Sequence, residues 1–138
     1  METSTNVVIT GAGSGIGQAC TASFAATGAQ IFAMGRRPEP LAKLRADFGE
    51  AVQPLSLDVG DAAAVHAAFA ALPPVQVLVA NAGLCATAAL DDPEADEVWR
   101  AVLRTNLDGV YYCLRAALPR LVDGGRVKIG RASCRERV

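Results

Sequence analysis

Four short apolar runs set the rhythm of the chain: Asn6–Thr10, Gln30–Met34, Val52–Leu57 and Val75–Ala80. Val, Ile and Leu dominate them without polar alternation, which predicts strands covered on both faces. Helical patterns separate them. Ile16, Ala19, Cys20, Ser23, Phe24 and Thr27 recur at three- and four-residue steps and predict one buried helix face, with Gly28 at its C-terminal stop. A second helix is expected over Pro40–Phe48, stopped by Gly49. Asp61 is placed to cap a third, whose core side carries Val65, Phe69 and Leu72 before Pro73-Pro74 end it.

A longer helical region comes next, with Asp92 as cap and Pro93 in the first turn. Its apolar positions form two stripes, Val98, Trp99, Val102, Leu103 and then Val110, Tyr111, Leu114, Leu118. Gly124-Gly125 then turn the chain into a fifth strand beginning at Arg126-Val127. Strands alternating with helices of this length predict β-α-β units, right-handed crossovers and a parallel α/β sheet.

The chain has 138 residues, 51% hydrophobic and 20% charged, which suits one domain with a sizeable core. A net charge of -1 gives no global field to recruit nucleic acid or an anionic membrane. Residues 128–138 are the exception: Lys128, Arg131, Arg135 and Arg137 stand against Glu136 alone, net +3, which leaves -4 for residues 1–127. Cys20, Cys85, Cys113 and Cys134 lie far apart, and with the single His66 they form no zinc spacing, so no metal site and reduced thiols are expected. No signal peptide or membrane-length apolar run is visible, and a cytoplasmic location is expected.

The sharpest motif is Thr10–Gly17, TGAGSGIG, at a strand end and opening a helix. A parallel strand delivers the chain to the sheet edge where a helix N-terminus offers unpaired N–H groups and partial positive charge. Gly11, Gly15 and Gly17 keep the backbone bare there for a phosphate, flanked by Thr10, Ser14 and Ile16. The spacing is not G-x-G-x-x-G, because Ile16 occupies the last glycine position, and it is not a P-loop.

With four further matches in order, the sequence resembles the short-chain dehydrogenase/reductase family. Its T-G-x-x-x-G-x-G motif is met by Thr10, Gly11, Gly15 and Gly17. Its acidic residue after the third strand, which contacts the adenine region, matches Asp58, followed by Val59. Its N-N-A-G motif matches Asn81-Ala82-Gly83, with Ala80 replacing the first Asn, and its catalytic Asn in N-x-x-G matches Asn106 with Gly109. Trp99 also stands where relatives often carry an aromatic. The resemblance implies a Rossmann-like doubly wound sheet, here truncated after about the fifth strand.

It also implies an NAD(P)-dependent oxidoreductase that interconverts a secondary alcohol and a carbonyl compound, a small-molecule substrate and a homo-oligomeric parent. The family's catalytic Ser, and its Tyr and Lys in Y-x-x-x-K, are not matched. Tyr111 and Arg115 mimic that last pattern, but Arg does not lose a proton as Lys can, and Tyr111 is expected in the core. The chain is therefore expected to be an inactive cofactor-binding half. The alternative is a non-catalytic nucleotide-binding regulator on the same fold, against which Asn106 argues.

Between the two cofactors, NADP is favoured over NAD. NAD sites place a carboxylate after the second strand to accept the ribose 2′-hydroxyl. Here the slot reads Gly35-Arg36-Arg37, and guanidinium groups suit a phosphate. His66 is expected to be partly exposed, and Asp91, Asp92, Glu94, Asp96 and Glu97 to serve a helix N-terminus. The organisation expected is 1–127 for the dinucleotide-binding part and 128–138 for a foreign tail. Its stretch IGRASCRERV matches one reading frame of a widely used sequencing-adapter oligonucleotide.

Overall fold

The computed structural model describes residues 4–130. Five strands form one parallel sheet in the order β3-β2-β1-β4-β5. They are β1 (Asn6–Thr10), β2 (Gln30–Gly35), β3 (Val52–Ser56), β4 (Val75–Ala80) and β5 (Leu121–Ile129). Helices α1 (Gly15–Ala25), α2 (Pro38–Phe48), α3 (Ala62–Ala70), α4 (Ala95–Leu103) and α5 (Gly109–Ala117) connect them. A π turn, Arg104–Asp108, joins α4 to α5. This is the doubly wound, Rossmann-like arrangement.

Alternate residues of each strand feed opposite layers, as the two-residue strand period requires. Val7, Ile9, Ile31 and Ala33 pack with Leu41, Leu44, Cys20 and Phe24 on the α1–α2 side. Val8, Phe32, Met34 and Leu78 pack with Val65, Phe69, Cys113, Ala116 and Ala117 on the α3–α5 side. Both faces are covered, which is why the strands carry no polar alternation.

Several local expectations change. On α1 the buried residues are Gly17 and Thr21, with Cys20, Phe24 and Ala25 partly buried, while Ile16 is 48% exposed. The face is turned by about one residue from the predicted stripe. Asp92 is not the cap: its Oδ1 accepts from the Glu94 N–H at 2.8 Å, and α4 starts at Ala95 with Glu94 as N-cap, two residues later than expected. Tyr111 is not core. It is 53% exposed, and its hydroxyl accepts from Arg115 Nη1 at 3.1 Å.

The fifth strand begins at Leu121, five residues before the expected start. Val75 pairs with Leu121 and Val77 with Arg126, so Gly124-Gly125 form a bulge inside β5, with Gly124 at φ 77°. Lys128 and Ile129 continue the ladder opposite Val79 and Ala80. The remainder of the suspected tail, 131–138, lies outside the described residues.

Asp61 caps α3 as expected, accepting from the Ala64 N–H at 3.1 Å. Cys20 and Cys113 are free thiols. Among the described residues, no helix is long and apolar enough to cross a membrane.

Candidate functional site

Chain order reverses across the sheet between β1 and β4, and open α/β sheets place ligands at that point, beyond the strands' C-terminal ends. The turns after β1, β2, β3 and β4 converge there on a cleft of about 140 Å³.

Thr10 ends β1, and its side chain is an anchor. Buried to 1% exposure, its Oγ1 accepts from the backbone N–H of Asn81 at 3.0 Å and of Ala82 at 2.9 Å. Asn81 returns the contact, its Nδ2 donating to the carbonyls of Thr10 at 3.3 Å and Gly11 at 3.4 Å. The glycine-rich turn and the turn after β4 are thereby one unit.

The glycines differ in why they are needed. Gly11 has φ 63° and Gly15 φ 54°, a backbone region that side chains disfavour. Gly17 is required by contact: a Cβ there would lie 2.0 Å from the Gly11 carbonyl oxygen. Gly13 is also constrained, because its Cβ would meet Pro40 at 2.9 Å as α2 closes over the turn. The bare cradle fits a phosphate-bearing cofactor.

After β2, Arg36 and Arg37 are exposed beside the cleft, and Arg37 is the N-cap of α2 with Pro38 behind it. Ser56 on β3 donates through Oγ to the Arg36 carbonyl at 3.1 Å, fixing the backbone that carries both guanidinium groups. After β3, Asp58 Oδ1 accepts from the Gly60 N–H at 2.8 Å, and Val59 is buried against Gly109, where a Cβ would come within 2.7 Å of Val59 Cγ2.

A family model described as short chain dehydrogenase matches residues 5–132. The chain belongs to the short chain dehydrogenase family.

Among its relatives, the NADP-dependent 3-hydroxy acid dehydrogenase YdfG of Salmonella typhi is 36% identical over 124 residues, covering 87% of this chain and 50% of that protein. Serine 3-dehydrogenase of Agrobacterium fabrum is 36% identical over 120 residues, covering 84% and 48%. Two solved structures share the fold. Serine dehydrogenase from Escherichia coli has a TM-score of 0.81 at 33% identity, covering 90% of this chain and 60% of that one. The closed form of serine dehydrogenase complexed with NADP+ has a TM-score of 0.82 at 33% identity, covering 90% and 52%. The chain spans about half the length of the curated relatives it matches.

In this member of the family the cleft brings together Gly11, Ser14, Arg36, Arg37, Asp58, Val59, Ala82 and Gly83 from the sequence-predicted set. Thr10, Gly17 and Asn81 lie buried behind it as supports, and Gly15 and Ile16 are exposed outside its lining. Asn106 also stands outside. Its Oδ1 accepts from the Leu84 N–H at 2.7 Å and its Nδ2 donates to the Leu84 carbonyl at 2.8 Å. Both ends of the amide thus pin the segment after β4 to the π turn, and the neighbouring Thr105 is the residue of that turn that lines the cleft. Gly13, Pro40, Leu41, Leu57 and Thr105 were not predicted; their place depends on how α2 and the π turn dock, which no local motif encodes.

Proposed function

We propose that the cleft binds the adenosine 2′-phosphate end of NADP, and that the protein of which this sequence forms part interconverts a secondary alcohol and a carbonyl compound. The observation that carries the reading is Arg36 and Arg37, which come after β2 where an NAD site has a carboxylate and which line the same cleft as the glycine turn. The glycine turn would take the pyrophosphate on bare backbone, with Gly17 letting α1 approach Gly11. Arg36 and Arg37 would hold the 2′-phosphate by charge-assisted bonds, Asp58 and Val59 the base, and Asn81-Ala82-Gly83 the wall beyond the ribose. Bound NADP supplies the hydride chemistry at its nicotinamide ring. Asn106 belongs to this site as a clamp on the wall.

The names of the relatives support both parts: an NADP-dependent 3-hydroxy acid dehydrogenase and a serine 3-dehydrogenase. A homo-oligomeric parent is part of the same reading. Trp99, Leu107, Tyr111 and Leu118 leave apolar surface exposed along α4, the π turn and the end of α5, a face suited to a second copy.

The test is titration calorimetry of this chain with adenosine 2′,5′-bisphosphate and with AMP. The bisphosphate is expected to bind more tightly. Arg36→Asp should cut that preference about ten- to a hundredfold, the size of one charge-assisted contact. A preference that survives Arg36→Asp unchanged overturns the assignment.

A further inference from the structure

One side chain at the cleft's edge has a geometry that the dinucleotide-binding motifs do not account for. Arg104 opens the π turn and lies across Gly60, where a Cβ would meet its Cγ and Nε at 2.8 Å. Its Nε donates to the Gly60 carbonyl at 3.2 Å, and its Nη2 stands 3.5 Å from Asp58 Oδ2. The other carboxylate oxygen, Oδ1, already accepts from the Gly60 N–H at 2.8 Å. Asp58 is therefore held from both sides, by a backbone donor on one oxygen and a guanidinium on the other. A carboxylate offers about four acceptor positions, so both oxygens keep capacity for a ligand.

The ion pair adds little to folding stability, since Arg104 and Asp58 are 57% and 35% exposed. What it fixes is position. Val59 packs against Gly109 on one flank of the same turn and Arg104 covers Gly60 on the other, so residues 58–60 move with the π turn that carries Thr105 into the cleft.

We propose that Arg104 is a positioning residue for base recognition, holding the Asp58 carboxylate so that the cleft selects a 6-aminopurine over a 6-oxopurine. An exocyclic amino group donates to a fixed carboxylate, whereas a 6-oxo group presents an acceptor to it and is repelled. The proposal rests on the reading that this cleft takes the adenosine end of the cofactor.

The experiment compares adenosine 2′,5′-bisphosphate with inosine 2′,5′-bisphosphate by titration calorimetry on wild type and Arg104→Met, with thermal unfolding run alongside. Met keeps an apolar stem over Gly60 and removes both polar contacts. The wild type is expected to prefer the adenosine form. Arg104→Met should lower that preference about two- to tenfold, the net worth of one hydrogen bond. Where Arg104→Met does not fold, Arg104→Gln keeps a donor near Gly60, removes only the charge facing Asp58, and should move the ratio in the same direction. A ratio that stays constant, whether both affinities fall together or neither changes, overturns the role of Arg104 and leaves the cofactor reading standing. A wild type that binds neither nucleotide overturns both.

Discussion

Replacing Thr10 by Val tests the joint on which the site is built. The two side chains are nearly the same shape, so packing in the buried pocket is kept and only the hydroxyl is lost. That hydroxyl accepts two backbone N–H groups, from Asn81 at 3.0 Å and Ala82 at 2.9 Å. Val leaves both donors without it. An unsatisfied buried donor costs about 1–3 kcal/mol, and Asn81 is buried while Ala82 is partly so, which gives about 2–4 kcal/mol for the pair. Urea unfolding of wild type, Thr10→Val and Thr10→Ser should show it as a lower midpoint at constant slope for Val. Ser, which restores the acceptor, should recover most of the loss. Affinity for adenosine 2′,5′-bisphosphate should fall in step, because the turn after β4 is no longer tied to the glycine-rich turn. A Thr10→Val variant within about 0.5 kcal/mol of wild type, the range of an indifferent surface change, would refute the anchoring role.

Gly17→Ala should be worse than Gly15→Ala for folding. A Cβ at 17 meets the Gly11 carbonyl at 2.0 Å, whereas at 15 nothing lies within 4 Å and the cost is only that of φ 54° in a side-chain-bearing residue. The melting temperatures of the two variants check the order. Burial pushes the Cys113 thiol up from 9.0 to about 12. The raised value favours the neutral folded form, so its stabilising effect is complete below pH 9 and is lost as pH rises towards 12. Cys113→Ala should flatten that part of the stability–pH curve, measured by urea unfolding across it, and an unchanged slope would count against the cause.

The strand core was legible because its signal is strong and local. Val-rich runs bounded by turn residues locate β1 and β4 with the bounds seen, and Gly49 stops α2 where expected, at φ 62°. Helix faces were less legible, for two physical reasons. Helix α1 is made of Ala, Gly, Ser, Thr and Cys with few large side chains, so little contrast marks the buried side. Between α4 and α5 the π turn inserts an extra residue, which rotates α5 by about 100° relative to an uninterrupted helix. Counting straight through puts Tyr111 and Leu118 in the core; the structure puts Cys113, Ala116 and Ala117 there. In the site, the motifs identify the turns but not their supports. The limit on Gly13 comes from Pro40, and the hold on Asp58 comes from Arg104, 46 positions along the chain.

The charge layout of the cleft depends on that last contact. A dinucleotide phosphate is an anion, and a carboxylate in the same cleft would repel it at a range that salt screens only beyond about 10 Å. Arg104, on a different element, stands 3.5 Å from Asp58 and offsets part of that repulsion where Asp58 lines the cleft. Arg36 and Arg37 then set the sign of the remaining potential at the entrance to α2, where Pro38 opens the helix and its N-terminal dipole adds in the same direction. The site thus presents positive charge at one end and an oriented, partly offset acceptor at the other. On the proposed reading, a ligand that satisfies both would carry phosphate on its sugar side and a hydrogen-bond donor on its base.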